Sequence, residues 1–165
     1  MRRITKQNKG ITLIEVLVYI SVISLSIISF TSYFLMMNSI SVKNKVISSI
    51  EGDSNYIFNL LENKIFNAEN LVYPEKGNAS STMIIAMSEG PDLKIFSELG
   101  ILYLEEITGD IFQISSSDDV LEELRFDVSN SDKTNIKVSF LLKKRNETSK
   151  EFTYGKKYYN SFTLR

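Results

Sequence analysis

Lys9-Gly10-Ile11-Thr12-Leu13-Ile14-Glu15-Val16 opens an apolar run that continues through Leu17, Val18, Tyr19, Ile20, Val22, Ile23, Leu25, Ile27 and Ile28 to Met37. Ahead of it, Arg2, Arg3, Lys6 and Lys9 make the first ten residues cationic and free of acids. The positive-inside rule holds such an end in the cytoplasm. Residues 11–41 exceed the roughly 20 apolar residues that a bilayer requires, so a single transmembrane helix is expected there. In a secretory signal the small-residue cleavage site follows the apolar region, whereas here Gly10 precedes it. The apolar helix is therefore expected to be retained. Glu15 lies just inside it, with no basic residue following before Lys43. An acid at the bilayer centre costs roughly 2.5–3.5 kcal/mol on insertion scales, so this carboxylate is expected near the interface or paired with a group on another chain.

Gly10-Ile11-Thr12-Leu13-Ile14-Glu15 resembles the class III signal of type IV prepilins and pseudopilins. In that family a membrane-embedded aspartyl peptidase cuts after the Gly and N-methylates the new first residue. The resemblance implies cleavage between Gly10 and Ile11, methylation of Ile11, and a subunit-assembly role for Glu15 as the fifth residue of the mature chain. Phe is usual where Ile11 stands, although bulky apolar residues are accepted there. It also implies other pilins or pseudopilins, the prepilin peptidase and an inner-membrane assembly platform as partners. The implied place is the bacterial cytoplasmic membrane, crossed once with the N-terminus in the cytoplasm. The head would be extracytoplasmic and would reach the cell surface when assembled in a filament.

Beyond the membrane run the helical pattern continues. Val42, Val46, Ile50, Ile57, Leu61, Ile65 and Ala68 keep spacings of three, four or seven, while Lys43, Lys45, Glu51, Asp53, Glu62 and Lys64 lie off that stripe. The second half of the helix, residues 42–67, thus reads as amphipathic, with one face available to cover a sheet. A helix over 11–67 would reach roughly 85 Å at 1.5 Å per residue. Gly52 is its weak point and a candidate bend. Serines at 21, 24, 26, 29, 32, 39 and 41 form a small polar stripe. Such a stripe suits close helix packing in lipid, or back-bonding to its own helix.

From Leu71 the texture becomes short β-rich runs between turn signals at residues 74–78, 89–92 and 108–110. Met83–Met87, Leu93–Phe96, Ile101–Leu104 and Ile111–Ile114 are candidate strands. Leu124, Phe126 and Val128, then Ile136, Val138, Phe140 and Leu142, alternate with polar residues as in half-buried antiparallel sheet. Phe152 with Tyr154, then Tyr158, Phe162 and Leu164, read as closing strands around a turn at Tyr154-Gly155-Lys156-Lys157. The expected fold is α+β, a pilin-like lollipop. It would comprise a leader at 1–10, a transmembrane or filament-core helix at 11–41, and a globular head at 42–165 whose β-rich region is 71–165.

With 19 basic and 20 acidic residues the net charge is −1, which gives no support to a polyanion binder acting through bulk charge. The chain lacks Cys and His, so disulfides, thiolate metal sites, cysteine nucleophiles and the commonest general base are excluded. A structural role, with no enzymatic activity, cofactor or metal, is the expectation. Asp110, Asp118, Asp119, Glu122 and Glu123 could offer oxygens to calcium, but their spacing fits no EF-hand, and solvated loop acids are the favoured reading. Lys156, Lys157, Tyr158 and Tyr159 form a basic aromatic run that could bind a ligand such as single-stranded nucleic acid, as could Lys143, Lys144 and Arg145 with Lys150. Protection of sheet edges by charge is the favoured alternative. Two glycosylation sequons, at Asn78 and Asn146, are assigned no role.

Gly100-Ile101-Leu102-Tyr103-Leu104, Leu124-Arg125-Phe126 and Ser161-Phe162-Thr163-Leu164-Arg165 are similar to minor pilins of the J-type pseudopilin class. Glu15 argues against the tip subunit that lacks this glutamate. The function implied is a minor pilin or pseudopilin that primes or joins a type IV filament of a pilus, competence or type II secretion-like system. A tip adhesin or DNA-binding module, and an unrelated single-span membrane protein, remain as alternatives.

Overall fold

The computed structural model describes residues 12–131, 134–144 and 154–164. The chain forms two compact units, Met1–Val42 and Lys43–Arg165. One α-helix, α1 (Leu13–Phe66), runs from the first into the second. Nothing in its sequence stops it, since no proline lies within it and Gly52 sits inside the continuous helix. Its start is set by Thr12. The Thr12 hydroxyl accepts from the Glu15 N–H at 3.4 Å, and the Glu15 carboxylate accepts from the Thr12 N–H at 3.1 Å. This is a capping box, in which two otherwise orphaned N–H groups are satisfied reciprocally.

Among the described residues nine strands come after the helix: β1 (Ala68–Tyr73), β2 (Ala79–Ser80), β3 (Met83–Met87), β4 (Leu93–Glu98), β5 (Ile101–Glu106), β6 (Ile111–Gln113), β7 (Asp119–Val128), β8 (Asn135–Lys144) and β9 (Gly155–Thr163). They form two antiparallel sheets, one of order β1-β3-β4-β5-β6 and one of order β2-β7-β8-β9. The fold is α+β, with the C-terminal part of α1 packed on antiparallel sheet. Ile50, Ile57, Leu61 and Ile65 share one buried core with Met83, Ile85, Ile95 and Leu102 of the first sheet and Phe126, Ile136, Val138, Phe140 and Leu142 of the second. Phe58 adds a ring 5.0 Å from that of Phe140. Ser54 is buried in the same stripe as Ile50 and Ile57, and its hydroxyl donates to the Glu51 carbonyl.

The sheets meet where the Leu121 N–H donates to the Gly100 carbonyl at 2.7 Å. Leu99 and Gly100 form the two-residue β4–β5 turn with φ of 52° and 78°. A Cβ on Gly100 would come within 2.8 Å of Val120 Cγ1, so glycine serves both the turn and the close approach.

Several sequence expectations need correction. Sheet begins at Ala68 rather than Leu71, with Asn67 alone between helix and strand, so Ala68 continues the apolar stripe from within β1. Of the residues expected as a turn at Tyr154-Gly155-Lys156-Lys157, the last three instead open β9, where Gly155 stands opposite Lys143 and Lys156 opposite Leu142. A Cβ on Gly155 would lie 2.7 Å from Lys143 Cγ, so this glycine marks a close approach between strands and not a reversal. β7 starts at Asp119, five residues ahead of the expected alternation, because a bulge resets its phase. Glu122 pairs with Leu141 but Arg125 with Ser139, and the extra residue includes Glu123 at φ 51°. Phe152, expected in a strand, lies outside the described residues.

Candidate functional site

Gly10 and Ile11, the residues of the implied cleavage and methylation, lie outside the described residues. Glu15 is described and exposed in the first turn of α1. Its carboxylate accepts from both the N–H and the hydroxyl of Thr12, each at 3.1 Å. No ion pair to Glu15 occurs among the described residues. Downstream, Ser21, Ser26 and Ser39 donate to the carbonyls of Leu17, Val22 and Met36, which places those three on the back-bonding side of the two serine readings. The apolar side chains of this segment, from Leu13 through Met37, are exposed, and the helix is long and apolar enough to cross a membrane.

In the second unit, strand alternation divides the expected run of Lys156, Lys157, Tyr158 and Tyr159 between two faces. Lys156 and Tyr158 turn towards α1. Lys156 Nζ lies 2.9 Å from Glu51 Oε1 and 5.3 Å from the Tyr158 ring centroid, while the Tyr158 ring is 5.9 Å from that of Phe140. The carboxylate of Glu51 raises the Lys156 pKa, and burial raises that of Tyr158. Lys157 and Tyr159 turn the other way. Lys157 Nζ lies 2.8 Å from Glu123 Oε2 and holds the Glu123 carboxyl below its ordinary range, whereas Tyr159 is 74% exposed. No single basic aromatic patch results. Arg145 and Lys150 of the second basic cluster lie outside the described residues, and Lys143 and Lys144 are each held by a carboxylate.

The acids considered for calcium also separate. Asp119 points inward, with Oδ1 2.8 Å from Lys144 Nζ, while Glu122 Oε2 lies 2.6 Å from Lys143 Nζ on the outer face. Asp119 is fully buried, and its Oδ2 has no hydrogen-bond partner among the described residues. Burial raises its pKa most, Lys144 opposes that by hydrogen bonding, and the neighbouring carboxyl of Asp53 on α1 raises it further. Among the described residues no three acidic, His or Cys side chains converge as a metal cage.

The outer face of the second sheet carries a cleft of about 490 Å³, lined by Ala79, Ser80, Ser81, Glu123, Leu124, Arg125, Ser139 and Lys157. Sequence reading missed it. Its walls come from β2, the β7 bulge, β8 and β9, and neither the bulge nor the two-residue β2 has a periodicity that could have revealed it. The Glu15 cap was missed as well, although its signal is present: Thr12 three residues ahead of an acid at the head of an apolar run is the capping-box pattern.

No family model, curated protein or solved structure matches this chain.

Proposed function

We propose that the chain is a minor pilin or pseudopilin, a structural rather than enzymatic subunit that primes or joins a type IV filament. The observation that carries this reading is the division of α1. Its first part is apolar and unburied, while from Ile50 onward one stripe is fully buried in the head. A helix made only to anchor the head needs roughly 20 apolar residues and no carboxylate near its start. Glu15 in that first turn, behind a cationic segment ending at Gly10, supplies the part that assembly requires.

In this reading a prepilin peptidase cuts between Gly10 and Ile11 and methylates Ile11. The new amino group of a neighbouring subunit then meets Glu15. Within a low-dielectric helix bundle such a pair offsets the desolvation of the carboxylate and selects an axial register for the incoming subunit. The Thr12 contacts satisfy Glu15 before assembly without supplying a charge. Nucleic-acid binding by the C-terminal tyrosines and lysines is disfavoured, because Lys156 and Lys157 are already paired with Glu51 and Glu123.

Mass spectrometry of the membrane-extracted chain tests the processing step. The expected N-terminus is Ile11, and Gly10→Val should block cleavage. A chain retaining Met1 in a host with an active peptidase would overturn the reading. Glu15→Ala should leave cleavage and head folding intact while abolishing incorporation into filaments, as read by shearing and immunoblotting.

A further inference from the structure

The solvent face of the second sheet is organised by strand register. Arg125 stands opposite Ser139, and Ser139 stands opposite Tyr159, so one cross-strand row runs from guanidinium through hydroxyl to phenol. Directly opposed Cβ atoms lie about 4.5–5.5 Å apart, which places the three side chains within reach of one small ligand. The cleft of about 490 Å³ beside this row falls inside the roughly 300–1,000 Å³ range of small-molecule sites. Ser80 and Ser81 also line it, Ser80 standing opposite the inward-facing Phe126. Tyr159 is a large aromatic left 74% exposed beside a polar cleft, where it covers no core. Glu123 adopts its left-handed backbone at the bulge without being glycine, and the extra residue brings both Glu122 and Glu123 to this face.

The charges decide the class of ligand. Arg125 Nε lies 2.7 Å from Asp127 Oδ1, Lys157 Nζ 2.8 Å from Glu123 Oε2, and Lys143 Nζ 2.6 Å from Glu122 Oε2. A polyanion would have to displace a carboxylate at each of these cations. An uncharged polyhydroxyl ligand would not, because a sugar hydroxyl donates to a carboxylate while accepting from the neighbouring guanidinium or ammonium. The hydroxyls of Ser81 and Ser139 add groups that both donate and accept, and the exposed ring gives a flat apolar surface for the C–H face of a pyranose. We propose that this face of the head binds a neutral glycan, with Tyr159 as the stacking platform and Arg125, Glu123, Lys157 and the serines as hydroxyl partners. The site concerns the head alone and stands whether or not the chain joins a filament.

The test uses the full chain in phosphatidylcholine nanodiscs, titrated calorimetrically with chitotetraose, cellotetraose and maltotetraose, and with a short oligothymidylate, at low and high salt. At least one neutral oligosaccharide should bind with an affinity insensitive to salt. Tyr159→Ala and Arg125→Ala should each weaken that binding by about tenfold or more, while Tyr56→Ala, which removes an exposed tyrosine on α1, should leave it unchanged. Failure of all three oligosaccharides to bind would overturn the proposal, as would unchanged affinity in the Tyr159 and Arg125 variants. Salt-sensitive binding of the oligothymidylate alone would reassign the face to nucleic acid.

Discussion

Asp119 and Lys144 show how one residue's environment reaches the stability of the whole head. Asp119 is fully buried at the start of β7, and its carboxylate is compensated by Lys144 at 2.8 Å. Its folded-state pKa lies above the unfolded value, burial being the main cause. The stability linked to this proton is therefore complete below the unfolded pKa and is lost as pH rises through the folded one. This group makes the head less stable at neutral than at mildly acidic pH. Removing the cation alone leaves a buried charge, and Lys144→Met should cost about 3 kcal/mol near pH 7. The loss should shrink as pH falls and Asp119 takes up its proton; denaturant unfolding followed over a descending pH series measures both. Equal losses would mean that Lys144 acts through packing of its methylene stem. Nothing in the sequence distinguished Asp119 from Asp118 beside it, because only the phase of β7 turns one inward and leaves the other in solvent.

At the scale of elements, α1 was legible because a period of 3.6 is written over a long stretch. Its buried apolar positions, Ile50, Ile57, Leu61 and Ile65, lie on the stripe the spacing identified, whereas Val42 at the head of that stripe is exposed and Val46 only partly buried, and Ser54 fills the gap between Ile50 and Ile57. Gly52 is exposed, lies within the continuous helix and would meet nothing within 4 Å if it carried a Cβ. Gly52→Ala should therefore stabilise the head by up to about 1 kcal/mol, measured as a shift in the chemical unfolding midpoint. An unchanged or lower midpoint would show that flexibility at this point favours the folded chain. The strands were less legible where their period breaks. β8 alternates throughout and was read correctly, whereas the extra residue in β7 hid its first half, and β2 is too short to have a period.

At the scale of the molecule, the core that unites α1 with both sheets lies wholly within the unit Lys43–Arg165. A fragment beginning at Lys43 should therefore fold as a soluble monomer with a cooperative thermal transition, as read by circular dichroism and sedimentation. Aggregation or a non-cooperative melt would show that the head needs the preceding segment. The sequence by itself determined the long helix, its change from apolar to amphipathic near Val42 and the antiparallel character of the strands after it, and it carries the Thr12–Glu15 capping pattern that the structure brought to notice. These are written in local periodicity and near-neighbour spacing, which the backbone reads within a few turns or strands. Only the tertiary structure decided that the strands divide into two sheets, that Lys156 and Lys157 serve opposite faces, and that Arg125, Ser139 and Tyr159 form one row. Those outcomes depend on strand register, and a single extra residue in β7 changes register for every side chain on one side of it.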